Sequence, residues 1–130
     1  MIKMMAIDDE QRILANLRAL LPPDDQGAFL HLPTLNRAKR TIENKLATFK
    51  PDFCVVDAEL ENYTDGLTII QILRSVLVDV PVVVLTKHVD SGDFKKSVLR
   101  RYTSIDGVVV ESKNPSPTWE KLCQAAGIEL

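Results

Sequence analysis

The feature that most constrains the fold is the regular alternation of short apolar runs with longer amphipathic stretches. Four runs, IKMMAI, FCVV, PVVVL and GVVV, have the length and apolar or β-branched character of strands buried on both faces. Between them lie helix-length stretches. Ile13, Leu14, Leu17, Leu20 and Leu21 share one helical face, as do Leu67, Ile70, Leu73 and Leu77. A parallel crossover needs a dozen or more residues and usually a helix, so strand alternating with helix implies a parallel sheet covered on both sides. We place strands near residues 2–7, 28–32, 53–57, 81–85 and 107–111, and helices near 10–21, 35–48, 65–76, 91–102 and 116–126. Pro22, Pro23, Gly27, Pro51 and Pro81 break the chain between these elements. Ser91 and Asp93 can cap the fourth helix, and Ser116 with Pro117 supplies a cap and first-turn proline for the fifth.

A length of 130 residues suits one domain spanning 1–130. The net charge of −2, with basic residues spread along the chain, leaves no electrostatic footprint for direct nucleic-acid binding. The longest apolar runs are strand-sized, which supports neither export nor membrane insertion and leads us to expect a cytoplasmic protein. Cys54 and Cys123 have no neighbouring Cys or His at metal-ligand spacing and read as reduced core residues.

Each of the four apolar runs gives way to polar chemistry: Asp8 and Asp9, Asp57, Thr86, and Lys113. In open parallel sheets, ligands bind beyond the carboxyl ends of the strands, so these residues would share one shallow pocket. Singly, the acids read as turn or cap residues. Together, three close carboxylates repel and rise in pKa unless a cation neutralises them, and oxygen-only ligands select a hard ion such as Mg²⁺.

The order and spacing of these segments resemble the receiver domain of two-component response regulators along essentially the whole chain. IDDEQRILANLRALL is similar to the family's opening strand, acidic pair and first helix. KPDFCVVDAELENYTDGLTIIQILR resembles the phosphoacceptor strand, its loop and the Asp-Gly before the third helix. PVVVLT resembles the fourth strand with its switch hydroxyl, and SIDGVVVESKNPSPTWEKL the fifth strand, the lysine and the last helix. The resemblance implies a flavodoxin-like α/β fold, a doubly wound five-stranded parallel sheet of order 2-1-3-4-5 with five helices.

It also implies a chemistry. Asp57 would take a phosphoryl group from a histidine kinase or phosphotransfer protein, with Asp8, Asp9, Asp57 and the Glu59 backbone carbonyl holding Mg²⁺. Thr86 and Lys113 would each bind a phosphoryl oxygen. The chain would signal to an output partner, or to a second copy, through the surface of the fourth helix, fifth strand and fifth helix. It would catalyse only its own phosphotransfer and autodephosphorylation, and so would not be an enzyme toward an outside substrate.

The departures from the family are specific. Counting from Gly107, the usual lysine position holds Glu111, and Lys113 lies two residues on, on the same face by the period of two. The family's proline directly after the lysine is absent, with Pro115 following Asn114. Val108 stands where the family carries an aromatic residue that rotates with activation. Lys87 follows Thr86 where a small residue is usual, and Glu59 and His88 occupy two positions that commonly gate water. A Glu59–His88 pair across the pocket mouth would make phosphoryl lifetime depend on pH near neutrality. The alternative is two exposed side chains. Lys95, Lys96, Arg100 and Arg101 form a basic stripe, either a solvated face or a surface for an acidic partner. Trp119 fits sheet packing better than a binding anchor.

Two other functions fit parts of the pattern. A pseudo-receiver would keep the fold and act as an interaction module without phosphorylation, in line with the displaced lysine. An aspartyl-phosphate hydrolase would share VVDAEL, but that class places its nucleophile strand first and paired acids last, the reverse of the order here.

Overall fold

The computed structural model describes residues 1–58, 65–87 and 92–130, with backbone alone at 92–95. The chain alternates β1 (Lys3–Asp8), α1 (Gln11–Leu20), β2 (Gln26–His31), α2 (Ala38–Thr48), β3 (Phe53–Asp57), α3 (Asp65–Val76), β4 (Val82–Thr86), α4 (Gly92–Thr103), β5 (Val108–Ser112) and α5 (Trp119–Ala125). The five strands form one parallel sheet in the order β2-β1-β3-β4-β5, as expected for a doubly wound fold. No helix among the described residues is long and apolar enough to cross a membrane.

Alternation along the strands divides the core into two layers. Met4, Ala6, Phe53, Val55, Val83 and Leu85 face α1 and α5, packing on Leu14, Leu17, Trp119, Leu122 and Cys123. Met5, Ile7, Cys54, Val56, Val82 and Val84 face the other way, onto Ile42 and Leu46 of α2, Ile70 and Leu73 of α3, and Tyr102 of α4. Trp119 packs against Phe53 with ring centroids 5.9 Å apart, which makes it a sheet-packing residue. Both cysteines are free and buried.

Two helix starts differ from expectation. Helix α2 begins at Ala38, three residues late, because the Thr34 hydroxyl accepts the Asn36 N–H at 3.1 Å and Arg37 turns into the left-handed region at φ 63°. A short polar side chain that captures a nearby backbone N–H competes with the helix at that point. Helix α5 begins at Trp119, not 116. Pro117 is buried against α1 as an extended lead-in, and Thr118 is the cap, its hydroxyl accepting the Lys121 N–H at 3.1 Å. The Asn114–Pro115 bond is cis. Ser91 lies outside the described residues, and so does the Asp93 side chain.

At the amino end of β4, Arg74 of α3 holds two loops together. Its Nε donates to the Val80 carbonyl at 3.1 Å and its Nη2 to the Asp106 carbonyl at 2.8 Å. The glycine at 107 sits at φ 77° with room beside it only because it lacks a Cβ, which would lie 2.9 Å from Nη2. Removing two charge-assisted bonds with Arg74→Ala is expected to cost about 2 kcal/mol in chemical denaturation. The metal affinity proposed below should not change, because Arg74 lies at the opposite end of the sheet.

Candidate functional site

The carboxyl edge of the sheet gathers the polar strand ends. Ile7 pairs with Val56, so Asp8 and Asp57 end neighbouring strands at nearly the same level. Both continue the face of the sheet that Ala6 and Val55, two residues earlier, turn toward α1 and α5; Glu111 pairs with Leu85 on that same face, and Lys113 lies two residues beyond it. The backbone N–H of Lys113 donates to the Thr86 carbonyl at 3.0 Å, which extends the β4–β5 pairing by one bond past Ser112. Lys113 therefore turns inward. Its ammonium donates to Asp57 Oδ1 at 2.7 Å and lies 3.6 Å from Asp8 Oδ2. Asp8, Asp57, Thr86 and Lys113 are all buried, at 5% exposure or less.

Glu111, the residue that counting from Gly107 puts in the lysine position, takes no part in this cluster. It is half-buried and pairs with Lys121 of α5 at 3.8 Å.

Carboxylate oxygens of Asp8, Asp9 and Asp57 lie within 4.8 Å of one another. Desolvation pushes the Asp8 carboxyl up to about 6, against the opposing pull of Lys113. Asp57 rises to about 8, first through desolvation and then through the Asp8 charge. One ammonium cannot neutralise three carboxylates, so the cluster stores repulsion that a divalent cation would relieve. An all-oxygen donor set suits Mg²⁺ in this respect. The Glu59 carbonyl, expected as a further ligand, lies outside the described residues, as does His88.

The surroundings hold contacts that the sequence reading did not name. Glu10, directly after the acidic pair, accepts from Lys87 Nζ at 3.0 Å and lies 3.6 Å from Arg12. The Glu10 carboxyl is held below its ordinary value, chiefly by the Lys87 hydrogen bond. This pair spans the pocket from the start of α1 to the end of β4, though both partners are exposed enough to keep its strength modest. His31, level with Asp8 at the end of β2, donates from Nε2 to the Asp9 carbonyl at 2.8 Å and accepts from Gln11 at Nδ1. Its signal in the sequence is a polar residue at a strand end, which is obscured because the apolar Leu32 after it makes the expected strand run on to residue 32. Along α4, Lys96, Arg100 and Arg101 are exposed; the Lys95 side chain lies outside the described residues.

Residues 4–105 match the family model for the response regulator receiver domain. This chain belongs to that family. The receiver domain is similar in fold to a response regulator receiver protein from Sinorhizobium medicae WSM419, with a TM-score of 0.69 and 15% identity over 97% of this chain and 91% of the other. It is also similar to the signal receiver domain of a modulated diguanylate cyclase from Desulfovibrio desulfuricans G20, with a TM-score of 0.70 and 17% identity over 96% and 90%. A third likeness is to the RcsB response regulator of Salmonella typhimurium, with a TM-score of 0.67 and 18% identity over 99% of this receiver domain and 61% of that chain. No curated protein matches the chain by sequence.

Proposed function

We propose that this receiver domain, acting as one unit over residues 1–130, accepts a phosphoryl group on Asp57 from a phosphohistidine. An Asp57 carboxylate oxygen would attack phosphorus, the P–N bond to imidazole would break, and the product would be an acyl phosphate. The observation that carries the reading is the Lys113 ammonium 2.7 Å from Asp57 Oδ1 inside a three-carboxylate cluster. That ammonium can follow its partner charge from the carboxylate to a phosphoryl oxygen, while Thr86 offers a hydroxyl to another.

Asp8, Asp9, Asp57 and the Glu59 carbonyl would hold Mg²⁺, which when bound neutralises charge on the transferring group. The presence of a lysine in the cluster, despite Glu111, favours a phosphorylatable receiver over a pseudo-receiver. Lys87, Glu59 and His88 would modulate access and phosphoryl lifetime. Autophosphorylation and autodephosphorylation are the only catalysis we assign, in the cytoplasm. Output would pass through the surface of α4, β5 and α5 to a protein partner or a second copy, and this domain would not itself bind nucleic acid.

Incubation with a phosphorylated histidine phosphotransfer domain tests the reading. Label should move to this chain only with Mg²⁺ and be released by hydroxylamine, which cleaves acyl phosphates. Label that survives hydroxylamine, or that never transfers, would overturn the assignment. The metal has its own expected result: Mg²⁺ at a hundredfold over its Kd stabilises the fold by about 2.7 kcal/mol. In a denaturant titration, Asp9→Asn should abolish most of that gain without unfolding the protein, because Asp9 is only half-buried.

A further inference from the structure

The residue after the phosphoacceptor is held from three directions. The Ala58 N–H donates to the Leu85 carbonyl of β4 at 3.0 Å, and the Ala58 carbonyl accepts from the Gly66 N–H of α3 at 3.1 Å. The same carbonyl accepts from the hydroxyl of Tyr102, on α4, at 3.2 Å. Tyr102 is 1% exposed and lies in one cluster with Ala58, Leu67, Ile70, Val84 and Val108. Gly66 is what admits the hydroxyl. A Cβ there would lie 2.6 Å from the Tyr102 oxygen, and 3.0 Å from both the Ala58 Cα and the Asp57 carbonyl.

Of the three bonds, only the one from Tyr102 comes from a side chain, and it is the one that reaches α4. At 3.2 Å it is long for a hydroxyl donor, so a shift of a few tenths of an ångström at Ala58 decides whether it holds. A dianionic group placed on Asp57, drawing Thr86 and Lys113 toward it, acts one residue from this carbonyl and on the β4 edge that also binds Ala58. Val108, in the same cluster, supplies no ring of its own from β5.

We propose that Tyr102 is a positioning residue whose hydroxyl ties α4 to the carbonyl following Asp57, so that phosphorylation of Asp57 releases α4 by breaking this bond. The inference rests on the receiver reading above. In it, the aromatic residue that senses the phosphoacceptor stands on α4, the helix whose state it reports. The bond gives α4 a contact that differs between the two states, which any ligand-driven shift requires.

Amide hydrogen exchange across Ser97–Thr103, with and without Mg²⁺ and beryllofluoride as a phosphoryl mimic, tests the proposal. In the wild-type protein the mimic should speed exchange in this segment. Tyr102→Phe keeps the ring in its cluster and should exchange faster before the mimic is added, with little further response to it. Gly66→Ala, which pushes the hydroxyl away from the other side while keeping Tyr102, should behave the same way. If Tyr102→Phe binds the mimic and responds as fully as wild type, or if wild type binds it without any change in α4, the coupling role is wrong while the receiver reading stands. If the wild-type protein neither binds the mimic nor takes up phosphoryl from acetyl phosphate, the receiver reading itself fails and the coupling falls with it.

Discussion

Asp57→Asn is expected to make the metal-free protein more stable by about 3 kcal/mol at pH 8 and to leave it nearly unchanged at pH 4. Burial and the Asp8 charge raise the Asp57 carboxyl from 3.8 to about 8. Its folded value thus lies above its unfolded one, and between those values the folded protein binds more protons than the unfolded chain. Stability must therefore fall as pH rises from about 4 through about 8, and at the upper end the wild-type protein carries the full cost of this group. The whole shift, at about 1.4 kcal/mol per unit, sets an upper bound near 6 kcal/mol. Asparagine removes the charge but offers Lys113 only a neutral acceptor in place of a carboxylate, which is why we halve that figure. Chemical denaturation of both proteins in chelator at pH 4, 6 and 8 checks the result. A variant less stable than wild type at pH 8 would mean that the Lys113 contact outweighs burial and repulsion.

Lys113→Met should have the opposite sign and a comparable size. Methionine nearly matches the lysine stem in volume, so packing changes little, but two buried carboxylates lose their shared cation. Breaking a buried pair from one side typically costs about 3–5 kcal/mol, and the loss here should be near 3 because the carboxyls can take up protons. The cost should shrink toward pH 5, where protonation removes the charges that Lys113 offsets. It should also shrink by more than about 1 kcal/mol in an Asp57→Asn background, a non-additivity expected only for groups in contact. Phosphoryl uptake should fall about a hundredfold, the usual scale for losing one donor to a developing oxyanion. Equal costs in both backgrounds would separate Lys113 from Asp57 energetically, against the 2.7 Å contact.

These expectations depend on residues with very different visibility in the sequence. The strands and their polar ends could be read because apolar runs buried on both faces stop where the chain emerges, and that edge is where a parallel sheet collects its chemistry, whereas the order of the strands in the sheet was implied by the family resemblance alone. The inward aim of Lys113 followed from parity with position 111, and the structure brings its ammonium to Asp57. Local competition was harder to see. Thr34 delays α2, and Thr118 displaces Ser116 as the cap of α5, through single hydrogen bonds among several eligible hydroxyls. Tertiary pairs left no local trace at all. Glu10 meets Lys87 across 77 positions and Tyr102 meets Ala58 across 44, and neither partner shows a periodicity or motif that names the other.

The most direct measurement is the intact mass of the wild-type chain and of Asp57→Asn after incubation with acetyl phosphate, each with Mg²⁺ and with chelator. The account predicts a gain of one phosphoryl group in the wild-type protein with Mg²⁺ alone, and none in the variant. No gain in any sample, or an equal gain in Asp57→Asn, would contradict it.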